Sequence, residues 1–220
     1  MARGVRLSAT PAAATSTIAP ARDARATATW LGIAAVLVVG SLLARSVPIT
    51  ALDWQPALGR IEPWRAWTAV FVHYSALHLA ANTAGAALVA ALGAAARTPR
   101  AGAVAWLIAW PLTQAGLWLR PDLVHYGGLS GVLHAGAAIV AVYLVASDEG
   151  ARRAIGVALA AGLVAKVLLE APWGPALRHP AGWDIATAPF AHATGLVAGI
   201  ACALVAHAVA RRRRGSRDAA

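Results

Sequence analysis

Ser130 stands between glycines at the head of a long apolar run, in Tyr126-Gly127-Gly128-Leu129-Ser130-Gly131-Val132-Leu133-His134-Ala135-Gly136. A serine hydroxyl becomes a nucleophile only when a base takes its proton. The negative oxygen of the tetrahedral intermediate that follows needs hydrogen-bond donors. Two histidines are candidate bases. His192 opens the pattern His192-x-x-Gly195-x-x-x-Gly199, whose members share one helical face. Glycines on such a face let another backbone approach closely, and Gly131 offers the same smoothness beside the serine. His134 lies one helical turn after Ser130. A hydrogen bond along a single helix is poorly aligned for proton transfer, so His134 reads as a residue that packs beside His192 and orients it.

Donors for an oxyanion are present on another segment. His78 and Asn82 are four residues apart and project from one helix face. They would converge with the backbone N–H groups at the start of the serine helix, where the helix dipole adds positive charge. His73 lies off that face and reads as a residue holding a loop or a water. Taken singly, each feature has a plainer role. Gly195 and Gly199 make a packing motif, and His78 with Asn82 makes an interhelical hydrogen bond. Acids near this layer are confined to Glu170 and Asp184, in an outer loop region. The arrangement therefore reads as a Ser–His dyad without a buried acid, which the logic of the triad allows. Lys166 and Glu170 are one turn apart and read as an ion pair or a snorkelling lysine. The alternative is that Glu170 meets a substrate group at an entry between the second and fifth segments.

These residues must be positioned by membrane segments. The chain has 220 residues, 59% hydrophobic and 13% charged, with a mean hydropathy of +0.62. That is too apolar for a soluble domain of this size. Six apolar segments emerge, over Trp30–Ala44, Trp67–Ala95, Ala101–Leu119, Tyr126–Ala146, Ala154–Leu169 and Thr187–Ala210. Residues 1–28 read as a disordered cytoplasmic arm rather than a targeting peptide, 29–210 as the membrane domain, and 211–220 as a basic cytoplasmic tail. Val47–Pro63 reads as a polar loop, with Trp54, Trp64 and Trp67 suited to a membrane interface.

The net charge of +10 does not imply nucleic-acid binding, because the arginines sit in short connections and tails, as membrane topology dictates. Thirteen basic residues fall on one side of a six-span arrangement and five on the other, with Lys166 inside a span. The richer side is cytoplasmic, so both termini lie inside. His73, His78, Ser130, His134 and His192 then all fall in the outer halves of their segments. The single cysteine, Cys202, leaves no disulfide and no cysteine metal cluster.

Four pieces together resemble rhomboid intramembrane serine proteases: Trp64-Arg65 in the first outer loop, His73 with His78 and Asn82, Gly128-Leu129-Ser130-Gly131, and Ala191-His192 with Gly195 and Gly199. The resemblance covers about residues 60 to 205. It implies an all-α, six-transmembrane-helix bundle in a bacterial inner membrane, with an active site opening to the periplasmic or outer side. Ser130 is then the nucleophile, His192 the general base, and His78 and Asn82 part of the oxyanion hole, with no metal or organic cofactor. Trp64-Arg65 would shape the first loop. One departure is His134, at a position where many rhomboids carry a tyrosine that stacks on the catalytic histidine. Within the superfamily the GLSGVLH run and the Lys166-to-Glu170 stretch look like the rhombosortase branch. Its substrates are membrane-anchored proteins ending in Gly-Gly, a transmembrane helix and a basic tail. The alternatives are a general rhomboid protease acting on other single-span proteins and a catalytically silent, client-binding relative.

Overall fold

The computed structural model describes residues 18–218, which are helices joined by turns, with no strand among them. Six long helices form the body: α1 (Ile18–Leu43), α2 (Ala76–Ala95), α3 (Arg100–Ala115), α4 (Ser130–Val145), α5 (Gly150–Leu169) and α6 (Pro189–Asp218). Four stretches are long and apolar enough to cross a membrane: Ala24–Ser46, Ala76–Ala95, Arg100–Leu119 and Pro189–Arg213. The other two long helices differ in kind. α4 is apolar but has only 16 residues, and α5 carries Arg152, Arg153 and Lys166 along its 20 residues. Helix α1 begins at Ile18, inside the stretch expected to be a disordered arm, and residues 1–17 lie outside the described residues. Helix α6 runs on through most of the stretch read as a tail.

Helix α4 is the axis of the bundle. Twelve of its 16 residues are buried, so neighbours cover it on all sides. At 1.5 Å per residue it spans roughly 24 Å, short of the ~30 Å apolar thickness of a bilayer. Its small residues permit the close packing. A Cβ built on Gly195 would fall on the Gly131 carbonyl oxygen, and one on Gly199 on that of Ala135, so α6 lies backbone to backbone along α4. On another side the Trp106 indole N–H of α3 donates to the Val132 carbonyl at 2.9 Å. Trp30 of α1 packs against Trp106 with ring centroids 4.4 Å apart and planes tilted by 30°, carrying the core outward to α1.

The second segment does not run as one helix from Trp67. A helical turn over Arg65–Thr68 and a 3-10 turn over Ala69–Phe71 come first, and the chain then extends at Val72. Ser75 caps α2, its Oγ accepting the His78 backbone N–H at 3.0 Å. A serine that satisfies an orphan N–H of the first turn sets a helix start more firmly than apolar patterning does. His73 therefore sits in a loop, where its Nδ1 lies 3.1 Å from the Phe71 carbonyl oxygen.

The loop between α1 and α2 is folded around Arg65. This buried guanidinium donates to the carbonyls of Thr50 at 2.9 Å and Asp53 at 2.8 Å, and to the carboxylates of Asp53 at 3.3 Å and Glu62 at 2.5 Å. Its neighbour Trp64 is half exposed. Trp54 corrects the expectation of an interfacial indole: it is fully buried against Trp118. Its backbone exchanges hydrogen bonds with Tyr126, at 2.7 and 2.9 Å. The first loop is thereby joined to the segment that leads into Ser130.

Candidate active site

Ser130 is the first residue of α4. The first intrahelical bond runs from the Leu133 N–H to the Leu129 carbonyl at 3.0 Å, so the Ser130 N–H has no acceptor within the helix. His192 lies one turn into α6. The tight α4–α6 contact brings its Nε2 to 2.9 Å from Ser130 Oγ, across 62 positions of sequence. The other ring nitrogen, Nδ1, lies 2.6 Å from Glu170 Oε2. A carboxylate only accepts, so Nδ1 carries the proton; in the neutral ring Nε2 is then bare and accepts the serine hydroxyl.

To the pair read as a dyad without a buried acid, the structure adds a half-buried carboxylate, that of Glu170. This residue closes α5, and Lys166 one turn earlier donates to its other oxygen at 2.6 Å. Burial pushes the Glu170 carboxyl up, but its hydrogen bonds to His192 and Lys166 outweigh it and hold the group at about 2. It is ionised across the physiological range. The Lys166–Glu170 ion pair expected from spacing is present, and the second carboxylate oxygen faces His192 rather than open space. Its pairing with His192 is not legible in the sequence, because Glu170 and His192 are joined by a loop whose path no periodicity reveals. The one signal is that Glu170 and Asp184 are the acids expected nearest in depth to the layer of histidines.

His134 is placed beside His192, with ring centroids 4.3 Å apart and planes within 13°. Its Nδ1 donates to the Ser130 carbonyl oxygen at 2.6 Å and not to the serine hydroxyl. It stacks on the histidine that contacts the serine, and it makes no contact suited to taking the serine proton.

His78 and Asn82 both face Gly128, two residues before the serine. Gly128 has φ +135, a left-handed conformation that disfavours other residues. A Cβ there would also meet His78 Nε2 at 2.8 Å and approach Asn82 Nδ2 at 3.6 Å. The Tyr74 backbone N–H donates to His78 Nδ1 at 3.4 Å, which leaves the proton of the neutral ring on Nε2, aimed at this spot. Asn82 Nδ2 is buried and has no hydrogen-bond partner among the described residues. Buried amide donors are rarely left unpaired, and one beside a candidate nucleophile fits an oxygen that arrives only during reaction. His73 stands behind, its ring 4.8 Å from that of His78. Tyr126 is a neighbour to which the sequence reading assigned no role. It is buried, and its hydroxyl donates to the Gly128 carbonyl at 3.4 Å.

A cavity of about 820 Å³ lies against this group, with α2 and α5 as walls and the loop over 171–188 as cover. The loop is pinned at several points. Arg120 donates to the carbonyls of Pro172 at 3.1 Å and Gly174 at 2.9 Å. Arg178 and Thr187 pair through their backbones, and Ser75 Oγ donates to Asp184 at 2.8 Å. A hydroxyl, an imidazole, a carboxylate and convergent donors at one cavity can carry out acyl transfer. No curated protein matches the chain. A model of the Rhomboid domain matches residues 60–209, a span that holds every residue of this site, and the chain belongs to the rhomboid family.

Proposed function

We propose that this rhomboid-family membrane protein is an intramembrane serine endopeptidase that cleaves membrane-anchored proteins near the outer face of the bilayer. The observation that carries the reading is the 2.9 Å contact between Ser130 Oγ and His192 Nε2 at the wall of a cavity large enough for a peptide segment. Ser130 attacks the scissile carbonyl as His192 takes its proton at Nε2. The carbonyl oxygen, now negative, is held by His78 Nε2–H, Asn82 Nδ2–H and the Ser130 N–H. His192 returns the proton to the leaving amine, and water then hydrolyses the acyl-enzyme by the reverse proton path. In this reading α1–α6 all span the membrane with both termini cytoplasmic, and water reaches the site from the outer side.

The substrate class is the rhombosortase type: a protein ending in Gly-Gly, an apolar helix and basic residues. The GLSGVLH run and the Lys166-to-Glu170 stretch support that branch, and a general rhomboid specificity is the alternative. The intact Ser130–His192 contact speaks against a silent client-binding protein. A fluorophosphonate probe labels the wild-type protein and not Ser130→Ala, and co-expressed reporters bearing the Gly-Gly tail are cut by wild type alone. Equal labelling of both proteins removes the nucleophile assignment. Cleavage of ordinary single-span reporters, with the tailed ones spared, removes the branch.

A further inference from the structure

A chemically active serine and histidine suffice for a dyad, yet this site contains a third group with its own supporting structure. Glu170 is fixed from several directions. Lys166 holds Oε1 at 2.6 Å, leaving Oε2 for His192 Nδ1 at 2.6 Å. The Arg178 guanidinium, out in the covering loop, donates to the Glu170 backbone carbonyl at 2.7 Å. The next residue, Ala171, takes a left-handed φ of 48, and its N–H bonds back to the Leu168 carbonyl at 2.9 Å, ending α5 at this point. Left-handed helix ends usually use glycine, and an alanine there carries strain. A helix end, an ion pair and a loop arginine thus all set the position of one carboxylate.

We infer that Glu170 is a positioning residue for His192, completing a Ser130–His192–Glu170 relay spread over α4, α6 and α5, with Lys166 holding the carboxylate. The inference rests on the protease reading above. Glu170 keeps the proton on Nδ1, so that Nε2 faces Ser130 as an acceptor, and its charge stabilises the imidazolium formed when the serine proton arrives. The proton stops at Nε2 and later passes to the leaving amine. Glu170 stays ionised throughout, which suits a carboxylate already paired with an ammonium group. His134, stacked on the other side of the ring, restrains its tilt. An isosteric amide at position 170 would present N–H₂ to Nδ1, favour the opposite tautomer and leave Nε2 protonated and useless as a base.

The test uses the full chain in detergent micelles, as wild type and as the Glu170→Gln, Glu170→Asp, Lys166→Met and Ser130→Ala variants. The rate of fluorophosphonate labelling at saturating probe should fall by at least about 100-fold in Glu170→Gln, with the half-saturating probe concentration little changed. Glu170→Asp should recover part of that loss, and Lys166→Met should lose less than Glu170→Gln. In the Ser130→Ala background, histidine-labelled protein should show a low-field proton resonance from the His192 Nδ1–H held by a carboxylate, and adding Glu170→Gln should remove it. Labelling of Glu170→Gln within threefold of wild type overturns the inference, as does a low-field resonance that survives the substitution. A wild type that takes no label overturns the protease reading instead; the resonance, measured without the serine, still reports whether Glu170 orients His192. Should Glu170→Gln not fold, Glu170→Ala takes its place: labelling within threefold of wild type, or a low-field resonance that survives the substitution, overturns the inference.

Discussion

At the residue scale, the proposed oxyanion hole rests on Asn82 and Gly128. Gly128 turns the chain with a φ open mainly to glycine, and the missing side chain leaves space in front of His78 Nε2 and Asn82 Nδ2. Asn82 keeps a buried donor without a partner among the described residues. Leaving such a donor unpaired costs ~1–3 kcal/mol in the resting protein, a cost that the charged intermediate of the proposed reaction would offset by accepting from it. Asn82→Ala should therefore lower kcat by roughly 10²–10³ with KM little changed, the size seen when one oxyanion donor is removed. It should also leave the protein folded, since the substitution removes an unpaired group. Steady-state cleavage of a tailed reporter checks both points. Gly128→Ala should do worse on both counts, because it adds backbone strain and displaces His78.

At the scale of elements, the line between α4 and α6 decides whether the serine and histidine meet. Gly195 and Gly199 press their α-carbons against the carbonyls of Gly131 and Ala135. Contacts to backbone cannot be relieved by a rotamer change, so a methyl group at Gly195 must push the helices apart. Overpacking of this kind costs ~1–3 kcal/mol, and the larger effect is geometric. Ser130 and His192 are at hydrogen-bond distance only at the present helix spacing. A displacement of about 1 Å costs on the order of 100-fold in rate. Gly195→Ala should lose activity to that degree with only a modest loss of thermal stability. Gly162→Ala on α5, where nothing lies within 4 Å of the new Cβ, should match wild type in both assays. Labelling rates measured beside thermal melting separate the two outcomes.

At the scale of the whole molecule, the first loop and the serine-bearing segment are one structure. Arg65 gathers Thr50, Asp53 and Glu62. Asp53 reaches on to His125 at 2.6 Å, and Trp54 pairs with Tyr126. The chain just before Ser130 is thus held by a loop more than 60 residues earlier. Arg65→Leu leaves the buried Asp53 carboxylate without its cation, a change worth roughly 3–5 kcal/mol. The variant should inactivate thermally well below wild type, which the decay of labelling after heating measures. An Arg65→Lys variant should recover only part of the difference, because an ammonium group cannot reproduce the planar fork that reaches two carbonyls and two carboxylates at once.

Much of this molecule is written in local sequence. Apolar stretches marked where all six long helices lie. The small residues around Ser130 and after His192 marked the face on which α4 and α6 meet, and the i,i+4 spacing put His78 and Asn82 on one side of α2. These are properties of period and composition, and they hold whatever the chain does elsewhere. Other features depended on tertiary structure. The start of α2 moved from Trp67 to Ala76 because Ser75 could cap it, and Trp54 went from an interface to the core because Tyr126 and Trp118 came to it. Glu170 became the partner of His192 because α5 and α6 are joined by a loop that Arg120, Arg178 and Asp184 fold back over the cavity. Period and composition record which face of a helix is apolar. The direction in which a loop returns depends on hydrogen bonds between residues far apart in the chain, and no spacing within a single segment encodes them.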